Sequence, residues 1–122
     1  MGTDFRDLEV WHLAHRLTLD LYKVTSEFPK EERFELVSQI RRAAVSVELN
    51  IAEGQGRYHS LDSAKFFLDS RGSVYELQSA LMIAKDLGFL TQDKFDDLDE
   101  RLNVVGMKLN GLITYKRNAK EK

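Results

Sequence analysis

The sequence predicts an all-α protein, an antiparallel up-down-up-down four-helix bundle. Three observations carry that prediction. Apolar residues recur at three- and four-residue steps along nearly the whole chain, which is helical spacing. Proline occurs once, at Pro29, and β-branched residues never alternate over a strand-length run. Four such apolar stripes are separated by short turn signals, and short connections favour antiparallel neighbours.

Element by element, the first helix is expected over about 5–28, with Thr3 or Asp4 as N-cap. Val10, Ala14, Leu17, Leu21, Val24 and Phe28 form its apolar stripe. Pro29 disfavours helix at Phe28 and suits entry to the next element. The second helix, over 31–56, carries Val37, Ile40, Ala44, Val47 and Ile51. The third, over 60–87, is expected to be capped by Ser60. It buries Phe67, Val74, Leu77, Leu81 and Ala84, and Gly88 supplies a left-handed stop. Thr91 caps the fourth, over 91–117, whose stripe is Phe95, Leu98, Leu102, Val105, Leu109 and Leu112. Asp93, Asp96 and Asp97 near its start, and Lys116 and Arg117 near its end, complement the helix dipole. The near-3.5 period fits almost parallel axes with left-handed crossing. A charged tail spans 118–122, and the whole chain reads as one domain.

The 122 residues include 43% hydrophobic and 31% charged side chains, a globular balance. A net charge of −2 creates no global field that demands nucleic acid. The absence of cysteine excludes disulfides, thiolate metal sites and cysteine nucleophiles. No signal peptide or bilayer-spanning run is visible, and Arg6 stands where a myristoylation motif needs Ser or Thr. These features fit a soluble cytoplasmic protein.

Gly54 and Gly56 in "NIAEGQGR" superficially suggest a phosphate-cradling loop. Such a loop requires a strand before it and a helix N-terminus after it. Here a helical pattern precedes the glycines, and carbonyl oxygens at a helix C-terminus repel phosphate. Gly54 and Gly56 instead fit a close-packing position and a helix stop.

The same stretch carries a resemblance. Phe5-Arg6-Asp7-Leu8, Arg41-Arg42-Ala43-Ala44, Asn50-Ile51-Ala52-Glu53-Gly54, and Gly72-Ser73 with Glu76-Leu77 together resemble the four-helix-bundle family of 23S ribosomal RNA intervening-sequence proteins. The similarity runs from Phe5 to about Arg117. It implies an antiparallel bundle that assembles into a ring-like homo-oligomer, pentameric in characterised relatives. A similar bundle serves diversity-generating retroelements as the accessory variability protein, which binds nucleic acid and the reverse transcriptase. One departure is Glu48, where relatives commonly have proline, a change that removes a kink and leaves the fold intact.

The candidate sites admit several readings. Arg42, Ser46, Asn50, Glu53 and Arg57 line one side of the second helix, and Asp69, Ser73 and Glu76 one side of the third. They form a subunit interface, a pore lining, a ligand site or a solvated face whose ion pairs contribute a few tenths of a kcal/mol each. Ala43, Ala44 and Gly72 place small side chains where helices can approach closely.

Glu9, His12 and His15 have metal-ligand spacing, but a di-iron bundle needs a second such motif, and His59 stands in no E-x-x-H spacing. Glu53 and Glu76 could share a proton, though structural pairing with arginine is commoner. Neither a metal, a cofactor nor a catalytic centre is expected.

Arg41, Arg42, Arg57, Tyr58 and His59 could form a basic patch with aromatic stacking, and Lys116, Arg117, Lys120 and Lys122 a basic tail. Repetition around a ring would make such modest patches multivalent for RNA or DNA. Against this, the acidic run "DDLDE" repeats equally often. Two functions from different classes follow. One is a bacterial nucleic-acid-associated accessory scaffold. The other is a protein–protein adaptor that uses exposed apolar residues such as Tyr22 or Phe89.

Overall fold

The structure, a computed structural model, describes residues 4–119. It contains four helices: α1 (Glu9–Thr25), α2 (Leu36–Gln55), α3 (Ser60–Asp86) and α4 (Gln92–Asn118). Short 3-10 turns at Phe5–Asp7 and Lys30–Glu32 precede α1 and α2. No strand occurs among the described residues.

The helices pack in cyclic order, α1 on α2, α2 on α3, α3 on α4 and α4 on α1. Side-chain pairs show their directions. His15 meets Glu48 and Thr18 meets the Ala44 carbonyl. Ser46 meets Ser73 and Ser70 meets the Val47 carbonyl. Gln78 meets Asn103 and Arg71 meets Asn110; Asp20 meets Arg101 and Glu9 meets Lys108. In every pair one number rises as the other falls, so neighbouring helices run antiparallel.

The core is the predicted stripes turned inward. Leu21, Ile40, Ile51, Phe67, Leu81, Val105 and Leu109 are completely buried. In α4 the last buried position is Ile113, not Leu112, which is only partly covered.

Several boundaries differ from expectation. The first helix begins at Glu9, because Asp4 caps the 3-10 turn by accepting from the Arg6 N–H at 2.8 Å. Thr3 lies outside the described residues. The helix ends at Thr25, three residues before Phe28, where the chain tightens into i−3 turns, Glu27 N–H on Val24 O and Phe28 N–H on Thr25 O, ahead of Pro29. Thr25 Oγ1 donates to Leu21 O at 2.7 Å and Ser26 Oγ to Lys23 O at 2.6 Å. The second helix starts at Leu36, since Glu35 (φ −118°, ψ −95°) is not helical. Ser60 is the first residue of α3, and His59, in extended conformation, occupies the cap position.

Other signals act as expected. Thr91 Oγ1 accepts from Lys94 N at 3.2 Å. Gly88 adopts φ +85°, with Gly88 N–H on Lys85 O and Phe89 N–H on Ala84 O, the paired bonds of a Schellman stop. Glu48 is accommodated within an unbroken α2 and its carboxylate meets His15 Nδ1 at 3.1 Å.

Candidate nucleic-acid interface

Helix α2 positions most of the candidate side chains, and its two ends differ. Arg57 and Tyr58 follow its C-terminus, and the antiparallel order brings the last turn of α4, with Lys116 and Arg117, to the same end of the bundle. Arg41 and Arg42 lie nearer its start. At 1.5 Å per residue they are about 20 Å away along the helix. The basic patch expected from Arg41, Arg42, Arg57 and Tyr58 therefore does not form as one surface. Helix length separates residues that an i, i+4 count had linked.

At the C-terminal end, Arg57 Nη2 is held by Glu53 at 2.6 Å, and its guanidinium lies 4.4 Å from the Phe66 ring centroid. Tyr58 is 87% exposed. Lys120 and Lys122 lie outside the described residues.

The polar faces of α2 and α3 meet as a hydrogen-bonded seam. Ser46 and Ser73 hydroxyls lie 2.8 Å apart, and Asn50 Nδ2 donates to Ser46 O and Oγ. Ala43 and Ala44 are buried in the core. Gly54 is also buried: a Cβ there would stand 2.8 Å from Phe67 Cε1. Gly72, expected to allow close helix approach within or between subunits, is open within the protomer: a Cβ there would meet nothing within 4 Å. It points outward from α3. Glu76 and Asp69 are exposed.

The possible reaction centres are dispersed into ordinary pairs. Glu9 binds Lys108 at 2.9 Å, His12 Nε2 contacts the Arg6 carbonyl, and His15 stacks on Trp11 while meeting Glu48. Among the described residues, no group of three His, Cys, Asp or Glu side chains is placed to hold a metal. Glu53 is engaged by Arg57, and Glu76 is exposed on α3.

Two of the expected residues, Arg41 and Arg42, belong to a groove between the end of α1 and the start of α2. Arg41 Nε donates to Thr25 Oγ1 at 2.9 Å and Nη2 to Tyr22 O at 3.1 Å, while its guanidinium lies 4.5 Å from the Tyr22 ring centroid. Much of Arg41 is thus committed to closing α1 on α2, a structural role that the sequence did not reveal. A cleft of about 480 Å³ beside it includes Lys30, Arg33 and Arg41 in its wall. An adjoining cleft of about 420 Å³ includes Tyr22, Arg33, Arg41 and Arg42. No carboxylate lines either cleft among the described residues. Among the described residues, Lys30, Arg33 and Arg42 form no ion pair, unlike Arg6, Arg57, Arg101 and Lys108. Sequence reasoning missed Lys30 and Arg33, which sit within the acidic run "PKEERFE" and look neutralised until the turn directs them toward the clefts. Phe89, expected as an exposed adaptor residue, is partly buried, packed against the core with its ring 5.8 Å from Phe28.

Fold and site define the chain first as a small four-helix-bundle protein with a cationic groove. It belongs to the family of 23S rRNA-intervening sequence proteins, whose family model matches residues 6–111. The fold is similar to the crystal structure, at 1.70 Å resolution, of a protein of unknown function from the S23 ribosomal protein family of Bacteroides thetaiotaomicron. The TM-score is 0.77 at 16% identity, with 85% of this chain and 97% of that chain covered, a likeness that concerns the fold alone. No significant match occurs among curated proteins. No helix among the described residues is long and apolar enough to cross a membrane.

Proposed function

We propose that the protein is a non-enzymatic, self-assembling cytoplasmic scaffold that associates with RNA or DNA. The carrying observation is the groove, where Lys30, Arg33, Arg41 and Arg42 line adjoining clefts with no carboxylate among the described residues of their walls. Local charge of one sign in a concave site concentrates phosphate even on a chain of net charge −2.

The test is binding of labelled RNA and DNA oligonucleotides across a salt series, with particle mass measured in the same samples. Affinity should fall steeply with salt, because counterions released from the phosphates supply it. Arg33→Gln with Arg42→Gln should weaken binding and flatten the slope while leaving the fold intact. Absence of binding at low salt by an intact assembly would overturn the reading in favour of a protein–protein adaptor.

Self-assembly has its own support. Leu61, Leu68, Tyr75 and Met82 recur at seven-residue steps along α3, with Leu68 partly buried against the core and Gly72 and Ser79 exposed beside them. Leu61, Tyr75 and Met82 are exposed. A helix apolar on its outer as well as its inner side usually has a partner on both. We assign this face to contact between copies in a homo-oligomeric ring, and it is also the surface an adaptor would use.

A further inference from the structure

We propose that the groove between α1 and α2 takes a single-stranded stretch of nucleic acid, with bases on Tyr22 and Phe34 and phosphates on Lys30, Arg33 and Arg42. This inference rests on the nucleic-acid reading above and names the form of strand that the same site accepts.

Shape comes first. Val37, Arg41 and Val45 of the groove follow one another at one-turn steps, so the clefts run along about 12 Å of α2. Beyond Arg33 they continue to Lys30 and Phe28. At the stacked-strand rise of about 3.4 Å per nucleotide, the α2 portion alone matches the length of about three nucleotides, and fewer of an unstacked strand. A free mononucleotide would leave one cleft and its cations unused.

The aromatic side chains then separate strand from duplex. Phe34 is 86% exposed and Tyr22 42% exposed. Each ring is beside a groove arginine: Arg33 lies 5.6 Å from the Phe34 centroid and Arg41 4.5 Å from the Tyr22 centroid. A duplex buries the faces of its bases in its own stack, so exposed rings gain little from it. A single strand offers those faces, and stacking beside a cationic track is the means by which such strands are held. Arg41 fixes Tyr22 through both its ring and its carbonyl, so that ring is ordered before any ligand arrives and loses little freedom on binding.

The experiment uses the full chain with four probes: a 12-nucleotide single strand as DNA and as RNA, the duplex of the same length, and inorganic polyphosphate. Both single strands should bind about ten-fold more tightly than the duplex. Phe34→Ala should weaken strand binding about ten-fold, leaving polyphosphate affinity and the salt slope unchanged. Arg42→Gln should instead reduce the slope by about 0.7. Phe34 is so exposed that its replacement leaves the fold intact, checked by an unchanged urea midpoint. Tyr22→Leu provides a second variant with the same expected loss. Equal binding of strand and duplex, or full strand affinity in both aromatic variants, would overturn the inference while nucleic-acid association stood. Polyphosphate binding as tightly as the strands would also overturn it, reducing the groove to a general anion site. Failure of every nucleic acid to bind would overturn the underlying reading itself.

Discussion

Arg41 holds Tyr22 twice: its guanidinium lies 4.5 Å from the ring centroid, and its Nη2 donates to the Tyr22 carbonyl at 3.1 Å. That carbonyl belongs to the last turn of α1, where it also accepts from the Ser26 N–H at 3.2 Å. A single side chain of α2 therefore adds a charged donor to the end of α1, anchors Thr25 and orients an aromatic ring at the groove. Arg41→Ala should lower unfolding free energy by about 1–2 kcal/mol, since charged donors to buried or half-buried oxygens contribute at that level. Arg41→Lys keeps the charge but not the two-armed donor, and should recover less than half of the loss. Urea denaturation of both variants measures this; full recovery by lysine would reduce the role of Arg41 to charge alone.

Gly54 fits because it has no Cβ. Alanine would place that atom 2.8 Å from Phe67 Cε1 and 3.1 Å from Phe66 Cβ. Phe67 is completely buried and cannot swing away. Overpacking of about 1–3 kcal/mol should exceed the gain of about 1 kcal/mol from alanine's helix preference. Gly54→Ala should therefore melt below the parent protein, and a higher melting temperature would contradict this packing.

Gly111 gives the opposite sign. It lies inside α4, exposed, with nothing within 4 Å of a Cβ built on it. Gly111→Ala should raise stability by about 0.5–1 kcal/mol, through helix preference alone. Thermal unfolding of this variant beside Gly54→Ala separates backbone preference from packing.

Assembly through the outer face of α3 is tested at Gly72. Arginine there has room within the protomer, so helical content and the urea transition of dilute protein should be nearly unchanged. Its charge would sit in the apolar stripe, and light scattering should register a smaller particle. An unchanged particle mass would remove this face from the interface.

Asp4 provides a dependence on pH. Its carboxylate accepts from the Arg6 guanidinium at 2.9 Å through both oxygens and from the Arg6 backbone N–H at 2.8 Å. The side-chain hydrogen bond from Arg6, aided by that backbone bond, holds the carboxyl well below its ordinary value of 3.8. Because the folded-state value is the lower one, the pair's contribution is complete above the unfolded value and is lost as pH falls through the folded one. Carboxyl NMR should find Asp4 still ionised at about pH 3, where an ordinary aspartate is mostly protonated. Arg6→Ala should restore ordinary titration.

The helical period determined the class of fold, because i to i+4 spacing is a local property that no partner has to supply. Thr91 and Gly88 were legible for the same reason: their bonds close within five residues. The family resemblance was legible too, in motifs spread from Phe5 to Glu76. Tertiary structure decided what each polar or small residue does. Arg41 and Arg42 are adjacent in the chain, yet one closes α1 on α2 and the other stays exposed, because neighbours on a helix point about 100° apart. Gly54 is tight because the register of α2 against α3 sets it on the Phe67 ring, whereas Gly72 is open because it lies on the exposed face of α3. Lys30 and Arg33 were hidden among glutamates until the turn after Pro29 set their directions. Composition averages such charges over the chain, whereas a groove depends on which of them share a wall, and only the packing of distant segments fixes that.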